Sequence, residues 1–312
     1  MSAVLTSIEK TAIQLDEFRK TRMKETPVDF DAYMASRDKD LALVKPAEDF
    51  RDQLVEEFYG QEEHKGLYLP WRRLDSLFRI RRGEVTDWVG FSGAMKSTVL
   101  GYVLLELMRQ DEKAAILSFE MKPRKSLRRM ASQAVGVETP TIPYIDKFMD
   151  SIAGKLFLYD QQGTVEPARV YAVITYCAEQ LGVTQFVVDS MMKVVKGDDD
   201  YSGQKNFVDK LCSLARDLDV HIHLVTHARK GADESKRPGK ADNMGSSNIV
   251  NQVDNYVVVF KIPKKDDSDD GPTHCLYIDK QRHGEFEGHI ALWMNQALQF
   301  MESGHDRPVC HV

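Results

Sequence analysis

The chain has 312 residues, 42% of them hydrophobic and 29% charged, enough for one large core with a small appendage. Its formal net charge of -6 excludes a surface coated in basic charge, although a ring or channel needs cations only where it faces a strand. No run approaches the roughly 20 apolar residues that span a bilayer.

The N-terminal stretch carries Glu9, Asp16, Glu17 and Glu25 without an apolar centre, so neither a secretory leader nor a transit peptide is expected. Cys177, Cys212, Cys275 and Cys310 are widely spaced with no C-x-x-C pair, the usage of reduced thiols in a cytoplasmic protein. In chain order, residues 1–62 are expected as a polar helical arm. In "EDFRDQLVEEFYG" the apolar Phe50, Leu54, Val55 and Phe58 fall on one helical face, which must pack on the chain's own core or on a neighbouring subunit. The main domain is expected over residues 63–300, starting near "PWRRLDSLF", with 301–312 as a C-terminal tail.

From Gly83 onward, short β-branched runs alternate with amphipathic helical ones. The expected strands are "EVTDWVG", "AAILSF", "KLFLYD", "QFVVDS", "VHIHLVT", "NYVVVFK", "HCLYID" and "HIALWM". Helices such as "STVLGYVLLELMRQ" and "NFVDKLCSLARDL" lie between the earlier ones, and the second presents Phe207, Val208, Leu211, Leu214, Ala215 and Leu218 as one stripe. Such alternation predicts an α/β fold with a mostly parallel sheet, and the last strands, which lack intervening helices, predict an antiparallel edge. Two long polar segments, 196–204 and 229–248, interrupt the pattern; loops of this length are usually functional or disordered.

"GFSGAMKST" follows the first strand and opens a helix, the context in which backbone N–H groups and a helix dipole face a phosphate. It matches G-x-x-x-x-G-K-[ST] at Gly90, Lys96 and Ser97, but Met95 stands where the second glycine belongs. Lys96 would reach the β- and γ-phosphates and Ser97 would bind Mg²⁺. Methionine at 95 is expected to keep a negative φ and to turn its side chain from the phosphate. By itself the loop is equally an ordinary strand–helix turn.

Downstream strand ends carry further candidates: Glu120 to orient and deprotonate an attacking water, Asp189 to hold the metal, and His227 to sense the γ-phosphate. In "IDKQRHGE", Lys280 and Arg282 are two apart and share a face if the run is a strand. They could complete a neighbour's site as a finger worth on the order of 10³-fold in rate. Each also has a plainer reading: a solvated acid, a satisfied core histidine, a pair of solvated cations. The segment after His227 supplies Arg229, Lys230, Lys236, Arg237 and Lys240, which would grip a phosphate backbone without reading sequence. The 196–204 segment carries three consecutive acids and suits DNA less, leaving Lys193 and Lys196 as lesser candidates.

Taken together, "LDSLFRIRRGEVTDWVGFSGAMKST", "LSFEM", "FVVDS", "LVTHARK", "MGSSNIVNQVDNYVVVFK" and "DKQRHGEFEGHIALWM" resemble the RecA-like ATPases over residues 65–300. More narrowly the chain resembles replicative ring helicases of the DnaB family, nearest the helicase half of phage primase-helicases and mitochondrial Twinkle; the histidine of "VTHARK" carries the latter likeness. The resemblance implies an ATP- or other NTP- or dNTP-driven, Mg²⁺-dependent DNA helicase in a hexameric ring, translocating 5′-to-3′ on single-stranded DNA. It further implies that Gly90, Ser92, Gly93, Ala94, Met95, Lys96, Ser97 and Thr98 surround the nucleotide, and that Ser97 and Asp189 hold the metal. Glu120, Lys96, His227, Lys280 and Arg282 are then catalytic. Residues 45–60 resemble the helix that links primase and helicase halves and docks on the adjacent subunit. No zinc-ligand cysteine set precedes the domain, so priming comes from another chain, is absent, or the chain is truncated; a separate primase, loader and DNA polymerase are the implied partners. The alternative is a recombinase-like relative whose ATPase single strands stimulate without unwinding, and a third is a non-catalytic subunit disabled by Met95.

Overall fold

A computed structural model describes residues 46–59, 66–195, 200–228, 235–240, 247–264, 266 and 270–312. The chain divides into two units, Met1–Gln61 and Glu62–Val312. In the first, a 3-10 turn over Ala47–Phe50 leads into α1 (Arg51–Tyr59), and Phe50, Leu54, Val55 and Phe58 are all exposed.

The second unit is built on one nine-stranded sheet in the order β3-β2-β4-β5-β1-β6-β7-β8-β9. Its strands are β1 (Val85–Gly90), β2 (Ala114–Ser118), β3 (Leu156–Leu158), β4 (Gln185–Asp189) and β5 (His221–His227), then β6 (Asn255–Lys261), β7 (His274–Gln281), β8 (Gly288–Met294) and β9 (Phe300–Met301). All pairings from β3 through β6 are parallel, and β6 to β9 pair antiparallel. The expected α/β sheet with an antiparallel edge is therefore present, with β9 as an additional strand that two residues form by pairing with β8.

β1, β2 and β4 are buried at every position, as uninterrupted apolar runs require when both sheet faces are covered. The cover on one face is α2 (Lys96–Arg109), α3 (Pro123–Val135) and α4 (Ile142–Ile152), whose Leu100, Leu104, Met130 and Phe148 pack in one cluster with Trp88 and Val187. The other face is covered by α5 (Pro167–Leu181) and α6 (Tyr201–Asp217), through Val170, Ile174, Phe207 and Leu211 against Phe186 and Ile222. Prolines in the first turns of α3, α4 and α5 start these helices where a missing N–H costs nothing. A short helix, α7 (Ser247–Gln252), precedes β6. Residues after Phe300 stay with this unit: His311 N donates to Ala134 O at 2.7 Å, and Gln299 Nε2 to Val309 O at 2.6 Å.

Two histidines of β5 are core residues. Trp88 Nε1 donates to His223 Nδ1 at 3.2 Å, while His221 lies between Thr86 Oγ1 at 2.9 Å and the Arg81 carbonyl. Burial pushes the His221 imidazole down to about 4 and that of His223 well below its ordinary value, so both are neutral.

Candidate active site

Four parallel strands end at one edge of the sheet, the edge where open α/β sheets bind ligands. The register aligns Gly90 of β1 with His227 of β5, and Ser118 of β2 with Asp189 of β4. Residues far apart in sequence thus become neighbours.

The loop after β1 curls back over this edge. Gly90 is fixed by close approach: a Cβ there would collide with the Val259 carbonyl. Gly93 has φ +82°. Met95 has φ 63° and ψ 28°, the left-handed region, so the expected negative φ is wrong. The loop imposes a glycine-type conformation, and Met95 adopts it at a cost of about 1–2 kcal/mol. The Met95 side chain packs against the core cluster that contains Val99 and Leu100. Ser92 and Gly93 are exposed, whereas Ala94 and Thr98 are buried.

Lys96 opens α2 and is buried; its Nζ donates to the carbonyls of Gly90 at 2.8 Å and Phe91 at 3.1 Å. It also lies 3.4 Å from His227 Nδ1, and His227 Nε2 is 4.0 Å from Glu120 Oε1. Burial lowers the Lys96 pKa to about 8, against the opposing pull of Asp189, Glu120 and Asp87. Ser97 Oγ donates to Asp189 Oδ2 at 2.6 Å. Burial raises the Asp189 pKa, and the Ser97 hydrogen bond works against that rise.

Lys96, Ser97, Glu120, Asp189 and His227 therefore converge at one edge of the sheet. Among the described residues no group of three or more His, Cys, Asp and Glu side chains could hold a metal ion alone. The pair of oxygen donors from Ser97 and Asp189 nonetheless fits Mg²⁺, which typically takes one or two protein ligands and completes its shell with phosphates and water.

Sequence reasoning missed Ser190, whose Oγ donates to Glu120 Oε1 at 2.7 Å and so fixes the carboxylate. Its place directly after Asp189 was the available signal. It also missed Arg129, which donates to Thr98 Oγ1 at 3.3 Å. A cleft of about 650 Å³ borders the loop at Phe91–Ala94, with Lys261, Lys264, His274 and Met294 on its far side.

The other candidates lie apart from this cluster. Lys280 Nζ and the Arg282 guanidinium both reach the C-terminal end of α7, where Arg282 also pairs with Asp254 at 3.1 Å. Of the proposed strand-gripping cations, Arg229 and Lys230 fall outside the described residues, as does Lys196. Arg237 is bound to Asp279 at 2.8 Å, Lys240 lies 3.7 Å from Glu287, and Lys236 is exposed. Arg237 and Lys240 are thus ion-paired within the chain while remaining solvent-exposed. The four cysteines are free thiols, and no described helix is long and apolar enough to cross a membrane.

A family model described as an AAA domain matches residues 72–233, just over half of the chain and the part holding Lys96, Glu120, Asp189 and His227. Among solved structures the chain is similar to one described as an ATPase domain, at 15% identity and a TM-score of 0.69, covering 82% of this chain and 98% of that one. It is also similar to a DnaB-like replicative helicase described with its interactions with primase, at 14% identity and a TM-score of 0.69, covering 92% of this chain and 73% of that one. The matched sequence and the mostly parallel sheet agree, and the chain belongs to the AAA-domain family, with the RecA-like fold of the solved ATPase domain it is similar to.

Proposed function

We propose that the protein is an ATP-driven replicative DNA helicase that encircles single-stranded DNA as a ring, translocates 5′-to-3′ and unwinds duplex. The observation that carries this reading is the line from Lys96 through His227 to Glu120, at 3.4 Å and 4.0 Å. It connects the phosphate-binding lysine and the base to the strand end from which the basic segment 229–248 departs. Lys96 would hold the β- and γ-phosphates, and Glu120, steadied by Ser190, would orient and deprotonate the attacking water. Ser97 and Asp189 would hold Mg²⁺, which when bound neutralises phosphate charge. His227 would report loss of the γ-phosphate to the residues after it.

Assembly of copies is supported by complementary surfaces. The arm carries Glu48, Asp49 and Asp52 beside exposed Phe50, Leu54 and Phe58. At α3, Lys122, Arg124, Lys125 and Arg128 are exposed and form no ion pair among the described residues, and α4 exposes Ile142, Ile145 and Met149. The arm of one copy would dock on α3 and α4 of the next, and Arg282 would complete a neighbouring copy's phosphate site. A separate primase, a loader and a polymerase are the partners this role calls for.

The test is strand displacement on a forked DNA, with single-strand-stimulated ATP hydrolysis measured beside it. Hydrolysis and displacement, both lost in Lys96→Ala, are expected. Stimulated hydrolysis without displacement would instead favour a recombinase-like ATPase. Lack of hydrolysis by the wild type, restored in Met95→Gly, would mark the loop as disabled.

A further inference from the structure

Lys280 is fully engaged inside its own chain. Its Nζ donates to the carbonyls of Val250 at 2.7 Å, Asn251 at 3.2 Å and Val253 at 2.6 Å. An ammonium has three protons, so none remains for another acceptor. The acceptors are end-of-helix carbonyls, which lack intrahelical partners and carry the negative end of the helix dipole. Arg282 extends the same cap, donating from Nη2 to Gln252 O at 3.2 Å and pairing through Nε with Asp254 at 3.1 Å. Asp254 is buried and accepts from Val85 N at 2.9 Å, so this anchor is rooted at the start of β1.

The neighbouring residues of β7 hold Arg237 as well. Asp279 accepts from Arg237 at 2.8 and 3.0 Å, with the Arg237 guanidinium 4.5 Å from the Tyr277 ring centroid. Asp279 is the residue that β7 bulges out opposite Tyr256 and Val257, and Lys280 follows it, so one irregular stretch of β7 holds both residue 237 and residues 250–253. Arg237 and the end of α7 are thereby fastened to adjacent residues of β7.

Resting on the reading that copies assemble and share nucleotide sites, we propose that Lys280 is a latch on α7 that a neighbouring copy's triphosphate opens by competing for its ammonium. The two cations differ in what they can spare. Arg282, with five donors in a fork, can keep Asp254 on one edge and offer phosphate the other. Lys280 can serve phosphate only by giving up carbonyls of α7. Filling one site therefore uncaps α7 in the adjacent copy and loosens the segment proposed to grip DNA. Lys280 acts as a positioning residue whenever the neighbouring site is empty.

Hydrogen exchange read on the amides of residues 247–253 tests this in the assembled full chain, with and without a non-hydrolysable ATP analogue and Mg²⁺. In the wild type the analogue should speed exchange there by about tenfold, the size expected for loss of a charge-assisted bond. In Lys280→Met exchange should already be about tenfold faster, with no further response to the analogue, while Lys280→Arg should restore part of the protection. Lys96→Ala should show the wild-type baseline and no response. Analogue binding and sedimentation are measured on the same samples. If the analogue binds and copies assemble while exchange at 247–253 stays unchanged, the latch is wrong and the helicase reading survives. Wild-type protection in Lys280→Met also overturns it; should that variant fail to fold, wild type and Lys280→Arg still decide. Failure of wild-type binding or assembly removes both readings together.

Discussion

The Ser97 hydroxyl donates to the Asp189 carboxylate over 2.6 Å, joining the first turn of α2 to the end of β4. This bond satisfies a carboxylate that burial otherwise penalises. Ser97→Ala should destabilise the nucleotide-free protein by about 1–3 kcal/mol, because it leaves Asp189 buried with one partner fewer. Mg²⁺-dependent nucleotide binding should weaken in the same variant, while residual binding in EDTA should not change. Calorimetric titration with and without Mg²⁺ checks both; equal losses in the two conditions would deny Ser97 a metal-linked role.

Glu120→Gln keeps an oxygen for Ser190 but removes the proposed base. Nucleotide affinity should persist, and hydrolysis should fall by about 10²- to 10⁴-fold, the usual worth of general base catalysis. Ser190→Ala should lower kcat by a few-fold with KM unchanged, since it frees the Glu120 carboxylate without touching the phosphate loop. A KM effect of similar size would place Ser190 in binding instead.

Met95 allows a reversal of an ordinary rule. At φ 63° any side chain is strained, so Met95→Gly should be more stable than Met95→Ala by about 1 kcal/mol, although alanine usually outperforms glycine. Met95→Val should be worse than both, because a β-branched residue tolerates this region least. Denaturant unfolding at matched m-values ranks the three. Alanine above glycine would mean that the left-handed conformation is relaxed in solution.

Lys96 makes the site respond to alkaline pH. Its pKa is lowered to about 8 in the folded protein from an ordinary 10.5, so between these values the unfolded chain binds more protons. Stability of the nucleotide-free protein should therefore rise with pH across that window. Triphosphate affinity should move the opposite way, falling above about pH 8 because binding must then draw a proton from solvent. Titration calorimetry in buffers of different ionisation enthalpy measures that uptake directly, and an affinity flat from about pH 7 to 9.5 would contradict the linkage.

Much of the sheet is legible in the sequence because its strands announce themselves. "NYVVVFK" reads as a strand and is β6 from end to end, and "QFVVDS" reads as a buried strand closing on Asp189. Lys96 stands out by the G-x-x-x-x-G-K-[ST] spacing, and Glu120, Asp189 and His227 because each ends or follows an apolar run. β9 is not legible, since two residues carry no periodicity and depend on β8 for pairing. Nor are the Arg237–Asp279 and Lys240–Glu287 pairs, which join residues more than 40 apart that only the folded chain brings together. The sign of φ at Met95 escapes a local weighing of side-chain preference, because the whole loop, pinned by Gly90 against Val259, sets that angle.

The register pairs Gly90 with His227 and Ser118 with Asp189 also bear on how the chain folds. Every such pairing closes a loop of some 70 residues or more, and non-local parallel contacts form slowly because loop closure must precede the gain from contact. No fragment that stops short of β5 can own a finished site. Folding and acquisition of nucleotide affinity are then a single event, and a triphosphate that binds only the finished state pulls the equilibrium toward it in proportion to its concentration. Refolding yield should accordingly climb with added nucleotide, making the substrate a folding ligand as well.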